Sequence, residues 1–488
     1  MNRQLFPRSF VALFTMLWLT QFNPVAAQDF TSTGAMNVER SLFAATLLTN
    51  GKVLVAGGHN GSSDVNSAEL YDPVSHTFVY TGNMNEARRG HTATLLNSGK
   101  VLIAAGNRSS TELYNPISGT FAYTGSVSRS RGYHTATLLR DGKVLIAGGD
   151  ADHNNAVEAS CELYDPVTGT CTATGNMTTG RSGHTATLLA NGKVLVTGGR
   201  NNNNRIDATA ELYDPVNGTF SPVQNMNVER IWHTATLLGN GKVLITGGAT
   251  SSAVDVTAEL YDPLSDTFAF TGSLSTARYY HTATMLTNGK VLIVAGEDFP
   301  PPAMASADLY DPVAGTFAPA GSLATARSMH KATLLDNGQV LITGGYDGNT
   351  HFSMASAELY TPEIHVTVDI RPGSDLNSIN LQSKGVLPVA ILTTEDFFAP
   401  FVDEETVLFG DPEVIAATGG VPVAPNRMTV EDVDGDGDLD LLLFFSVQQL
   451  VKNGAIDRGS TRALLTGELF TGTSIIGSDS VRIVPPKK

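Results

Sequence analysis

Arg181-Ser-Gly-His-Thr-Ala-Thr-Leu-Leu189 leads into Asn191-Gly-Lys-Val-Leu-Val-Thr-Gly-Gly199. A polar loop over 200–207 follows, and Ala210-Glu-Leu-Tyr-Asp-Pro-Val-Asn-Gly-Thr-Phe220 completes the unit. The chain repeats this arrangement between Arg40 and Pro362. Its Tyr-Asp-Pro tyrosines fall at Tyr71, Tyr114, Tyr164, Tyr213, Tyr261, Tyr310 and Tyr360, at spacings of 43, 50, 49, 48, 49 and 50. Glycine pairs stop the second run at Gly57-Gly58, Gly148-Gly149, Gly198-Gly199, Gly247-Gly248 and Gly344-Gly345, with Ala105-Gly106 and Ala295-Gly296 as degraded versions. Each copy holds four strand-sized runs and cannot bury both its faces alone, so the copies must stack. Seven four-stranded repeats of this length predict an all-β, seven-bladed propeller.

The composition of the runs assigns their radial order. His-Thr-Ala-Thr-Leu-Leu is rich in small residues and suits the innermost strand, whereas the Tyr and Phe runs suit the wide periphery. Runs such as Lys-Val-Leu-Ile-Ala-Gly-Gly show no polar alternation, as expected where neighbours cover both faces. The glycine pair leaves room for a neighbouring backbone or ring. The last unit stops at Tyr360-Thr361-Pro362, short of an outer strand. Phe30, Thr33-Gly34 and Met36 before Arg40 match Phe268, Thr271-Gly272 and Leu274 before Arg278. The N-terminal strand is therefore predicted to pair with the last unit and close the ring, which removes the exposed edges.

A double glycine, then a tyrosine, then an aromatic seven residues on resembles the kelch motif. Tyr71 and Phe78, Tyr114 and Phe121, Tyr213 and Phe220, Tyr261 and Phe268, and Tyr310 and Phe317 keep that spacing. Kelch repeats usually carry Trp where Phe stands here, and Cys171 breaks the pattern in its copy. The resemblance spans about residues 28–362 and implies a scaffold shared by binding proteins and, more rarely, enzymes.

The 488 residues exceed one compact core, and a net charge of -16 argues against nucleic acid or an anionic membrane as main partner. Arg3 and Arg8, an apolar run from Phe10 to Phe22, and Val25-Ala26-Ala27 follow the order of a secretory signal. The run falls short of the ~18–20 apolar residues that span a bilayer. Cleavage is expected near Ala27, with the mature protein secreted or at the cell surface. Export permits a disulfide between the two cysteines, Cys161 and Cys171. A tight turn over Pro166–Gly169, however, would set Cys171 opposite Tyr164, and two small buried hydrophobes are the favoured reading.

After Pro362 the repeat vanishes. Strand-like runs at His365–Ile370, Val386–Thr393, Thr406–Gly410, Leu439–Phe445, Ala463–Gly467 and Val481–Val484, with a short helical turn over Val447–Gly454, predict a β-sandwich over 363–488. Its chemistry lies in Glu431-Asp-Val-Asp-Gly-Asp-Gly-Asp-Leu-Asp440. Acids at alternate positions around glycine form a calcium-loop pattern: Asp432, Asp434 and Asp436 through carboxylates, Asp438 through its carbonyl, Asp440 by carboxylate or water. An oxygen-only donor set favours Ca2+ over transition metals. The loop resembles the calcium hairpins of integrin-type propellers and the half-loops of dockerins. Leu443 stands where a full EF-hand has its bidentate Glu, and a strand follows directly, which favours the hairpin form. Together with Val-Asp-Ile-Arg-Pro-Gly-Ser (368–374) and Lys-Gly-Val-Leu-Pro-Val-Ala-Ile-Leu-Thr-Thr (384–394), the loop resembles a module attached to many secreted bacterial proteins.

Two repeated residue types invite functional readings. His91, His134, His184, His233, His281 and His330 share one repeat position, Phe43 taking the seventh. A residue that every blade carries is first a residue the blade needs, and buried hydrogen bonding is favoured over a metal ring. Arg40, Arg88, Arg131, Arg181, Arg230, Arg278 and Arg327 are expected to bond between blades, to carbonyls or to Glu69, Glu112, Glu162, Glu211, Glu259 and Glu358. Function is sought where the repeat disagrees with itself. The two residues between Arg and His vary, as do the loops 59–66, 150–157, 200–207, 297–302 and 346–352, and both sets are predicted on one face. That face would present Tyr133, Trp232, Tyr279, Tyr280, Arg200, Arg205, Phe299, Tyr346 and His351. Aromatic plates among planar polar groups suit a glycan or an extracellular protein. The alternatives are a copper-radical enzyme of the galactose-oxidase type, which needs two Tyr, two His and a Cys crosslinked to one Tyr, or another carbohydrate-active propeller enzyme, and a structural component of the cell surface or matrix. No Gly-x-Ser-x-Gly or His-Glu-x-x-His motif occurs.

Overall fold

The computed structural model describes residues 30–151, 156–299, 302–348, 352–372, 377–394, 399–411, 413–415, 422–469 and 474–484. The expected export signal and His351 lie outside them. Contacts divide the chain into two compact units, with the boundary after Ile364.

Among the described residues, the first unit contains two small two-stranded hairpins and seven four-stranded antiparallel sheets. In one of them the strands are Thr185–Leu188, Val194–Thr197, Ala210–Asp214 and Thr219–Pro222, running from the axis outward. The innermost strands neighbour one another in a closed circuit, the first (Ala44–Leu47) touching both the second (Thr92–Leu95) and the last (Lys331–Leu334). The last sheet takes its outer strand from the N-terminus. Phe30–Ser32 pairs with Glu358–Tyr360, and Phe30 stacks against Tyr360 at 5.1 Å, like Tyr71 with Phe78 at 4.8 Å.

The core lies between sheets. Along Val53–Ala56, Val53 and Val55 pack toward the last sheet while Leu54 and Ala56 pack toward the second, so all four residues are buried. Each such aliphatic side chain contributes about 1.5–3 kcal/mol on burial.

Two devices lock neighbouring sheets together. A Cβ on Gly57 would lie 2.7 Å from His91 Cε1, so the first glycine of the pair makes room for the next blade's imidazole. At the periphery, Gly82 donates its amide to the Gly119 carbonyl at 2.9 Å, and Thr81 hydrogen-bonds the Tyr114 hydroxyl at 2.9 Å. A Cβ on Gly82 would sit 2.2 Å from that carbonyl. The Thr33-Gly34 pair docks on the first sheet in the same way, through Tyr71 and the His76 carbonyl.

The lead arginines bond within their own sheets rather than between them. Arg181 donates from Nη1 to the carbonyls of Gly198 and Thr209, and from Nη2 to Thr209 Oγ1 and Glu211 Oε1. All seven arginines are fully buried, each with a carboxylate 2.7–3.1 Å away. In the glutamate clamps the second carboxylate oxygen receives the chain arriving from the previous blade, as Glu69 receives the Asn37 amide at 2.7 Å, whereas Asp308 uses one oxygen for both Arg278 and the Ser275 amide. The ion pair thus clamps the inter-blade crossing without itself crossing it.

Cys171 does pair with Tyr164, and both thiols are free. Cys161 packs against the fourth sheet and Cys171 against the second, on opposite faces of their own sheet. Burial pushes both thiols up to about 12.

In the second unit, one sheet joins Ser474–Ser480, Arg462–Leu469 and Val402–Gly410. Another orders Thr367–Ile370, Val386–Leu392, Asp440–Ser446 and Arg427–Glu431. Phe409 of the first packs on Phe445 of the second, with ring centroids 4.8 Å apart. Ser446 caps the helix Val447–Lys452 by accepting from the Gln449 amide.

Candidate functional site: the axial mouth

The variable dipeptide and the loop after the glycine pair do lie side by side. Isolated bridges pair Ser41 with His59, Gly132 with Asp150, Ser182 with Arg200, Ile231 with Ala249, Tyr279 with Glu297 and Ser328 with Tyr346. The second residue of each dipeptide has left-handed backbone: Leu42, Gly90, Tyr133, Gly183, Trp232, Tyr280 and Met329, with φ between 52° and 64°. Successive members are joined main chain to main chain. Gly90 donates to Leu42, Tyr133 to Gly90, Gly183 to Tyr133, Trp232 to Gly183, Tyr280 to Trp232 and Met329 to Tyr280, over 2.9–3.3 Å. A left-handed non-glycine residue costs roughly 1–2 kcal/mol, so this lip is held by its neighbours. None of its five non-glycine members is β-branched.

The lip surrounds a cavity of about 280 Å³. Trp232 stacks on Tyr280 at 4.5 Å and lies 6.0 Å from Tyr279, and Tyr279 and Tyr280 are 5.0 Å apart. Tyr133 lines the same cavity. Trp232, Tyr280 and Tyr133 are half-buried, whereas Tyr279 is buried and hydrogen-bonded to Glu297, which also accepts from Ser328 Oγ at 2.8 Å. Burial raises the tyrosine hydroxyls of Tyr133, Tyr279 and Tyr280 above their usual range, so all are neutral phenols at ordinary pH.

Beneath the lip lie the histidines. His134, His184, His233, His281 and His330 each meet, through Nε2, the threonine hydroxyl of the preceding inner strand, as His184 meets Thr135 at 3.1 Å. Burial holds all six imidazoles well below their ordinary pKa, down to about 3 for His134, His184 and His281.

The pattern breaks at one seam. Phe43 replaces the histidine, and Ala44 and Lys331 replace threonines. His91 thereby loses its hydroxyl partner and neither ring nitrogen makes a hydrogen bond; the Ala56 carbonyl lies near but outside bonding geometry. Lys331 lines the axial cavity. Sequence reasoning passed over this lysine, although His-Lys-Ala-Thr stands there against His-Thr-Ala-Thr in five other copies.

The remaining predicted residues sit apart from the cavity. Arg200 is held by Asp150 at 2.8 Å and Asn204 at 3.0 Å, which makes it part of the rim's own bonding. Arg205 is exposed in the 200–207 loop, and Phe299 is exposed to 75%. Tyr346 opens a two-residue hairpin with Phe352–Ser353.

The second candidate is the acidic loop, which joins two paired strands with Glu431 opposite Asp440. Carboxylate oxygens of Asp432, Asp434 and Asp440 lie within 4.8 Å of one another. Asp440 is 1% exposed and accepts the amides of Thr393 and Val433. Asp432 accepts those of Gly435 and Gly437. The carboxylates of Asp436 and Asp438 are outside this cluster, and Asp436 Oδ1 takes the Asp438 amide.

The chain matches the Kelch motif over residues 40–85 and 181–227. No curated protein matches it in sequence. Among solved structures it is similar to a novel fungal alcohol oxidase with catalytic diversity among the AA5 family, in complex with copper. The TM-score is 0.57 at 15% identity, covering 93% of this chain and 98% of that one. At that identity the likeness is one of fold: a kelch-type β-propeller.

Proposed function

We propose that this is an exported binding protein that recognises a glycan through the axial mouth of its propeller, with a C-terminal unit stabilised by calcium. The observation that carries the reading is the half-buried Trp232–Tyr280 stack, flanked by Tyr279 and Tyr133, over a cavity at the small end of ligand-site sizes. Aromatic faces take the apolar face of a sugar ring, and the phenols of Tyr133 and Tyr280 supply hydrogen bonds. Glycan-array binding by the wild type and its loss in Trp232→Ala is the expected outcome. Full retention by that variant refutes the mouth as the site. A protein partner on the same face would appear as array silence.

The copper-oxidase alternative rests on fold likeness. Its crosslinked cysteine has no counterpart at the mouth, because Cys161 and Cys171 are packed between sheets. Five of the six ring histidines hold threonine hydroxyls through Nε2. Metal analysis of purified protein separates the readings: calcium alone favours binding, near-stoichiometric copper favours the oxidase.

For calcium, Asp432, Asp434 and Asp440 would supply the carboxylates, with main-chain oxygens and waters completing the shell. Export is read from residues 1–27, and an N-terminus at Gln28 in protein recovered outside the cell is its test.

A further inference from the structure

The seam between the last and second blades combines three departures from the repeat. Phe43 needs no hydroxyl partner, Ala44 offers none, and Lys331 places an amine where five other inner strands carry threonine. The lysine has no hydrogen bond or ion pair among the described residues. No aspartate or glutamate lines the cavity, whose other polar side chains are histidines, threonines, tyrosines and Trp232. Arg88, which like Lys331 acts on the neighbouring His91, already has its own carboxylate in Glu112 at 2.7 Å, whereas Lys331 has none among the described residues. Burial lowers the amine's pKa, and nothing counters it. An ammonium held in a concave, poorly solvated site without a carboxylate is costly unless a ligand brings the missing charge. The other blades show that threonine fits this position, so the fold itself does not call for a lysine.

We infer that the axial cavity is an anion site, in which the Lys331 ammonium pairs with the carboxylate of an acidic sugar whose ring lies against the Trp232–Tyr280 stack. This rests on the glycan reading of the mouth and narrows it to uronic-acid-type ligands. The pairing is charge-assisted and shielded from bulk water, which strengthens it relative to an exposed contact.

The test uses the full chain with glucuronic acid, its neutral counterpart glucose, and acetate as probes, by calorimetry and by NMR of 13C-methylated lysines. Glucuronate is expected to bind roughly tenfold or more tighter than glucose. It should shift one lysine resonance that is absent in Lys331→Thr, the variant that restores the repeat residue. That variant should fold and lose the preference. Equal binding of the two sugars by the wild type, or an unchanged preference in Lys331→Thr, overturns the anion site while leaving the glycan reading intact. Glucuronate or acetate shifting the Lys331 resonance equally in wild type and Trp232→Ala keeps the anion site and refutes the sugar stack. No shift with any probe overturns the proposal.

Discussion

The tyrosine–threonine contacts at the periphery allow one residue type to be tested in two environments within a single molecule. Tyr114 hydrogen-bonds Thr81 at 2.9 Å, whereas the buried Tyr360 hydroxyl has no partner among the described residues, because Ala320 stands where five of the other six linkers have threonine. Tyr114→Phe removes a neutral hydrogen bond, a loss of about 1 kcal/mol, and leaves no orphan because Thr81 keeps the Gly119 carbonyl. Tyr360→Phe instead removes an unsatisfied buried group, whose burden is about 1–3 kcal/mol, so it should be neutral or stabilising. The two variants should therefore differ by about 2 kcal/mol, several degrees in Tm for a domain of this size. Ala320→Thr should stabilise by about 1 kcal/mol, and only while Tyr360 keeps its hydroxyl. Guanidinium unfolding followed by fluorescence is well suited, since Trp18 and Trp232 are the two tryptophans and protein lacking residues 1–27 retains only Trp232. Equal destabilisation by Tyr114→Phe and Tyr360→Phe would refute the reasoning.

Acid should unfold the propeller steeply. The six ring histidines have folded pKa values below the ordinary 6.5, so the unfolded chain takes up protons first. Stability is thus complete above about 6.5 and lost as pH falls toward about 3, by about 1.4 kcal/mol per pH unit for each proton. Denaturant midpoints measured from pH 7.5 to 4.5 check this, and a flat profile contradicts buried neutral imidazoles. Chelation should lower the melting temperature of the C-terminal unit, and calcium at a hundredfold excess over its Kd should restore about 2.7 kcal/mol. Calorimetry of wild type and Asp434→Asn decides that point, the variant being expected to ignore calcium. Met36→Ala, in the segment just after the strand that completes the last sheet, should cost about 2–5 kcal/mol, because Met36 is 4% exposed in the core between the last and first sheets. An unchanged midpoint would mean that the N-terminal segment contributes no closure.

Much of the architecture was legible because repetition multiplies weak local signals. Gly-Gly, Tyr-Asp-Pro and Thr-Gly each carry a steric or hydrogen-bonding duty that recurs in the folded chain. The C-terminal unit repeats nothing, and three of its strands were missed, the two-residue Ser378–Ile379 among them. Ser474–Ser480 hides in a serine-rich, glycine-containing run, and Arg427–Glu431 is a short, wholly exposed edge whose alternation rests on Met428 and Val430 alone. At the mouth, variability pointed to Tyr133, Trp232 and Tyr280, which line one cavity, and to Tyr279, which is buried beside them. It also drew in Arg200, because spacing gives no sign that Asp150 of the neighbouring blade already holds it. Lys331 escaped for the opposite reason. It sits inside the best-repeated run, where a single odd residue reads as drift until the folded ring reveals which hydroxyl is missing and beside what.

The left-handed lip separates two duties that most binding surfaces combine. Its curvature is set by main-chain bonds from one blade to the next, and its side chains take no part in those bonds. Leucine, glycine, tyrosine, tryptophan and methionine therefore all occupy equivalent places without altering the rim. Each place behaves as an interchangeable letter, restricted only by the exclusion of β-branching. A change of ligand needs single substitutions rather than a remodelled loop, so chains sharing this scaffold can diverge in what they hold while their blades stay nearly superimposable.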